Sequence, residues 1–129
     1  MIPTWRDVNI AIRDLSAPGP DTEDLLLATE LGRNFPLHGW ESAGLHRYPP
    51  RPDPVSDTDA AIAWAERLIP GARLQFWNQA AGGGWSATVT RREEGVEAQA
   101  CARTLPFALI KATVEAKVDL DCLSAPDPS

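Results

Sequence analysis

Between residues 72 and 100 apolar and polar side chains alternate in three short runs. In the first, Leu74 and Phe76 alternate with Arg73, Gln75 and Trp77. In the second, Trp85, Ala87 and Val89 alternate with Ser86, Thr88 and Thr90. In the third, Val96, Ala98 and Ala100 alternate with Glu97 and Gln99. Successive side chains of a strand point to opposite faces, so each run offers one apolar row to a core. Gly82-Gly83-Gly84 and Glu93-Glu94-Gly95 stand between the runs, where an antiparallel meander turns. The pattern predicts a three-stranded sheet.

Outside that sheet the period becomes helical. Trp5, Val8, Ile12 and Leu15 fall on one helical face behind Thr4, a good N-cap, although Val8, Ile10 and Ile12 also alternate as in a strand. Pro18-Gly19-Pro20 breaks the chain. Asp21 or Thr22 then caps a helix through Leu31, with Leu25, Ala28 and Leu31 as its buried stripe and Gly32 closing it. Ser56 and Asp59 form an S-x-x-D capping box for the next helix, in which Ala61, Trp64, Ala65 and Leu68 share a face before Pro70-Gly71 ends it. Thr104 caps the last helix, with Pro106 in the first turn, where a missing N–H costs nothing. Leu105, Ala108, Leu109, Ala112 and Ala116 form its stripe, widened by Phe107, Ile110 and Val114. A helix this apolar is covered on most sides.

Residues 33–54 have no such period. They hold five prolines, both histidines, Trp40 and Tyr48. Prolines stiffen a segment and remove backbone donors, so this one is expected to wrap over the domain, pinned by Phe35, Trp40 and Tyr48. Residues 1–17 read as an N-terminal extension with a short helix, 18–118 as the domain, and 119–129, with Pro126 and Pro128, as a flexible C-terminal tail.

Composition narrows the classes of function. A chain of 129 residues fits one domain. The net charge of −6 and the scatter of its twelve Lys and Arg argue against nucleic acid, which needs clustered cations. No apolar run approaches the ~20 residues of a membrane helix. The N-terminus lacks the basic start and apolar core of a signal peptide, so a cytoplasmic location is expected. Cys101 and Cys122 fit that compartment as reduced thiols; with no CxxC pair, neither a zinc site nor another cofactor is expected.

Several of these stretches resemble a known family. Pro18-Gly19-Pro20-Asp21 leads into an acidic, Leu-rich helix. Val55-Ser56-Asp57-Thr58-Asp59-Ala60-Ala61 opens a helix ending in Leu68-Ile69-Pro70-Gly71. A Gly-rich hairpin with Trp85 follows, then Thr104-Leu105-Pro106-Phe107-Ala108-Leu109-Ile110. Over about residues 15–118 the chain is similar to small phage and prophage proteins grouped as the phage ABA sandwich domain. It departs from them in the proline content of 48–54, and in carrying Ile110 or Lys111 where their last helix has a cysteine. The resemblance implies an α–β–α layered sandwich, an α+β fold with three or four helices around the meander. It also implies an origin in phage or prophage DNA and no established activity.

Candidate chemistry is sparse. His38 and His46 with Asp53, Asp57 or Asp59 contain the residue types of a metal site. Yet seven residues of loop separate the histidines and no helix sets them on one face. No Ser lies in a G-x-S-x-G elbow, and Gly82-Gly83-Gly84 lacks the Lys-Ser/Thr of a phosphate loop. No nucleophile–base pair can be named, so no catalytic residue is expected. The aromatics carry more. Trp85 and Trp64 fit a core. Trp77 shares its strand face with Arg73 and Gln75: under a helix it is core, and without one it joins Arg73 in a binding surface. The preference of Trp for burial favours the core. Trp40 and Tyr48 are pinning residues or a contact patch. The sequence reads best as a non-enzymatic module that binds a protein partner or itself. The alternative is a small-molecule site between the sheet and segment 33–54.

Overall fold

The computed structural model describes residues 3–17, 22–31, 57–79 and 84–124. Within them lie helices α1 (Trp5–Ile12), α2 (Thr22–Leu31), α3 (Thr58–Leu68) and α4 (Leu105–Ser124), and strands β1 (Arg73–Gln79), β2 (Gly84–Arg91) and β3 (Val96–Ala102). The fold is α+β, four helices with a three-stranded antiparallel sheet in the order β1-β2-β3. Proline-rich segment 33–54, the Gly32 cap and most of the Gly82-Gly83-Gly84 turn lie outside the described residues.

Local chemistry explains the ends of the elements. Thr4 caps α1 through a reciprocal box: its hydroxyl accepts from the Asp7 amide at 3.2 Å, and the Asp7 carboxylate accepts from the Thr4 amide at 2.9 Å. The cap of α3 is Asp57 rather than Ser56. Its extended backbone turns Oδ1 onto the Ala60 amide at 3.2 Å, and a carboxylate there also meets the positive end of the helix. Gly95, at φ 69°, closes the short 3-10 turn Arg92–Glu94 between β2 and β3 in the left-handed region. Arg91 braces that turn through Glu94 at 3.2 Å.

Paired residues set the two faces of the sheet. Leu74–Val89–Ala98, Phe76–Ala87–Ala100 and Asn78–Trp85–Ala102 form the inner rows. Arg73–Thr90–Glu97, Gln75–Thr88–Gln99 and Trp77–Ser86–Cys101 form the outer rows. Ala87, Val89, Val96, Ala98 and Ala102 are buried. These mostly small residues present little bulk to α4, which lies against β2 and β3. On its other sides α4 meets α1 and α3. Phe107 through Val114 are all buried, Lys111 and Thr113 among six apolar residues. Among the described elements the layers therefore run sheet, α4, then α1 and α3.

Trp64 joins the helices. Its ring meets Trp5 edge-on, with centroids 5.9 Å apart, and its Nε1–H donates to Glu30, which also pairs with Arg67 at 2.7 Å. Helix α4 runs six residues into the stretch read as a tail. Lys117 pairs with Asp121 at i, i+4, Leu120 packs on the core, and Arg6 donates to the Cys122 thiol at 3.5 Å. Trp85 is half-buried at the margin of the core rather than inside it.

Candidate functional site

The outer face of the sheet meets no described helix, and Trp77 stands on it 44% exposed. That decides the alternative left open by the sequence: Trp77 is surface, not core. Phe76, pointing to the opposite face, is 37% exposed, because β1 projects past the reach of α4, whose sheet contacts are to β2 and β3. Two of the three exposed large hydrophobic residues in the described parts of the chain are thus neighbours on one edge strand. Among the described residues nothing pairs with the outer edge of β1. The strand carries one charge, Arg73, and neither proline nor glycine. Edge strands that avoid pairing usually carry several such guards.

Beside Trp77 the outer face is polar. Its neighbour in the row is Ser86, whose hydroxyl lies 3.1 Å from the Cys101 thiol; Ser86 and Thr88, on the middle strand of this face, are buried, so the exposed part is the β1 side. At the other end Arg73 lines a shallow groove of about 430 Å³ with Gln75, Arg91, Arg92 and Glu97. The exposed part of this face, an aromatic with the Gln75 amide and the Arg73 guanidinium, has the composition of a protein interface.

A second feature sits at the opposite edge. Lys111, 7% exposed, donates from Nζ to the backbone carbonyls of Leu15 and Cys101, and lies 5.7 Å from the centre of the Phe107 ring. It ties α4 to the end of β3 and to the turn after α1. The Arg103 amide donates to the Ser16 carbonyl at 2.8 Å and closes the same corner. Burial holds the Lys111 amine below its ordinary pKa; nearby Cys101 and Asp14 offset this in part. Four residues along, burial and then Asp119 raise the Glu115 pKa. Both line a cleft of about 470 Å³ with Asn9, Arg13, Gln99, Ala100 and Cys101. Sequence reasoning missed it. The signal was there: Lys111 is the one charge in the largely apolar run from Leu105 to Val114.

Of the binding residues expected from sequence, the structure puts Arg73 and Trp77 on the same face of β1, four positions apart. Trp40 and Tyr48 lie outside the described residues, as do His38, His46 and Asp53. Asp57 is a helix cap and Asp59 lies in the first turn of α3. Among the described residues no cluster of three or more His, Cys, Asp or Glu is placed to hold a metal, and no helix is long and apolar enough to cross a membrane. No family profile, curated protein or solved structure matches the chain.

Proposed function

We propose that this chain is a non-enzymatic protein-binding module that takes an extended segment of a partner onto the outer edge of β1. The observation that carries this reading is the β1 edge, which nothing among the described residues pairs, with Phe76 and Trp77 exposed on its two faces. A strand added there gains main-chain hydrogen bonds along β1, while alternate side chains pack beside Trp77 on one face and Phe76 on the other. Aromatic side chains of this kind dominate binding energies at interfaces. The resemblance to phage ABA sandwich proteins supports a role as a phage or prophage accessory protein, acting in the cytoplasm of a bacterial host.

Selection from a random peptide library against the purified chain tests it. Bound peptides are expected to share alternating β-branched or aromatic residues and to shift the NMR signals of residues 73–79. Trp77→Ser is expected to weaken them at least ~10-fold, the scale of an interface aromatic, and Glu97→Ser on β3 to leave them unchanged. Peptides whose shifts map elsewhere and that ignore Trp77→Ser would overturn the reading.

A further inference from the structure

We propose that the cleft between α1, β3 and α4 binds a small carboxylate, held between Lys111 and Arg13. This site is independent of the β1 edge. Lys111 is more than nine-tenths buried, yet its hydrogen-bond partners are two neutral carbonyls. Among the described residues no carboxylate lies within ion-pair distance of it. Buried charges in proteins are normally paired, because desolvating an ion without a counter-charge is costly. An ammonium has three N–H donors, so one remains after Leu15 and Cys101 are served.

The rest of the cleft supplies what a carboxylate needs. Arg13, at the C-cap of α1, forms no ion pair among the described residues, whereas Arg67, Arg91 and Lys117 each have one. Its planar fork matches a carboxylate through two parallel N–H bonds. Asn9, one turn earlier, lines the same cleft and brings an amide donor, the backbone of Gln99 on β3 borders it, and Ala100 offers apolar wall to a small organic tail. The volume of about 470 Å³ accommodates such a molecule. The acidic groups here, Asp14 near the amine and Glu115 in the cleft lining, disfavour a dianion more than a monoanion. That selects a monocarboxylate over phosphate. A bound carboxylate also gives Lys111 the counter-ion its burial calls for.

Acetate, benzoate and phosphate, each against sodium chloride at equal ionic strength and pH 7, form the test, read by thermal unfolding and by NMR of the full chain. Acetate or benzoate is expected to raise Tm by about 2 °C or more over the chloride control, and to shift the Gln99 amide and Arg13 Nε–H signals. Arg13→Gln, at an exposed position, is expected to keep the ligand-free Tm and to lose at least ~10-fold in affinity, the scale of a lost charge-assisted pair. No carboxylate effect beyond chloride, or equal binding by Arg13→Gln, overturns the site. Phosphate binding more tightly than either carboxylate overturns the assignment of ligand class.

Discussion

The two edges of the sheet are treated in opposite ways. At the end of β3 a lysine from α4 reaches the Cys101 carbonyl, and the next segment of backbone is tied to Ser16. Along β1 no described element does anything comparable, and the strand sets Phe76 and Trp77 in solvent instead. The β3 edge is tied at its C-terminal end by a buried charge brought from a helix; among the described residues nothing pairs with the β1 edge. Hydrophobic burial alone does not explain the contrast, since both strands send apolar residues into the same core. An open edge is an aggregation liability unless something specific occupies it. The contrast is the reason for proposing β1 as the interaction surface.

The contrast breaks most severely at Lys111. Lys111→Met keeps the stem over Phe107 but leaves the Leu15 and Cys101 carbonyls without their donor. Its expected cost is ~2–4 kcal/mol, two charge-assisted hydrogen bonds with partial relief by water, measured by urea denaturation. Trp85→Ala, at the margin of the core, is expected to cost ~2–3 kcal/mol, below the value for a fully buried aromatic. A cost near 5 kcal/mol would put Trp85 inside the core after all. Thr4→Ala removes the reciprocal cap of α1, the helix whose following turn receives Lys111, and is expected to cost about 1 kcal/mol. Trp77→Ser, on the open edge, is expected to change stability by less than about 1 kcal/mol. An unfolded Trp77→Ser chain would mean that β1 is covered.

The smallest effect is on pH dependence. The folded pKa of Glu115 is raised above 4.5, so the folded state holds the proton more tightly than the unfolded chain. The stability this brings is present below pH 4.5 and lost as pH rises through the folded value. Glu115→Gln is therefore expected to flatten that part of the stability–pH curve, and Asp119→Asn to reduce its span. Lys111 acts oppositely at alkaline pH. Its folded pKa is lowered from 10.5, so stability rises as pH climbs from the folded value toward 10.5.

Most of the fold is legible in the sequence because its signals are local and periodic. Thr4 and Asp7, Trp64 between Ala61 and Ala65, and the alternation of Val96, Ala98 and Ala100 each declare an element without help from the rest of the chain. The end of α4 is less legible, since prolines at 126 and 128 read as a boundary, while Lys117–Asp121 and Leu120 carry the helix on to Ser124. Trp77 was undecidable for a different reason. Alternation assigns it a face, but only the placement of the helices says whether that face is covered. Lys111 was missed because its role is tertiary: Leu15, 96 positions away, supplies the carbonyl that explains why a charge belongs in so apolar a helix.

Amide hydrogen exchange followed by NMR tests the open edge most directly. The alternate amides of Leu74–Asn78 that point away from β2 are expected to exchange within ~10-fold of unstructured rates, and the Arg103 amide, bonded to Ser16, at least ~1,000-fold more slowly. Equal, strong protection of both amide sets of β1 in the free protein would contradict the account, because its edge would then already be occupied.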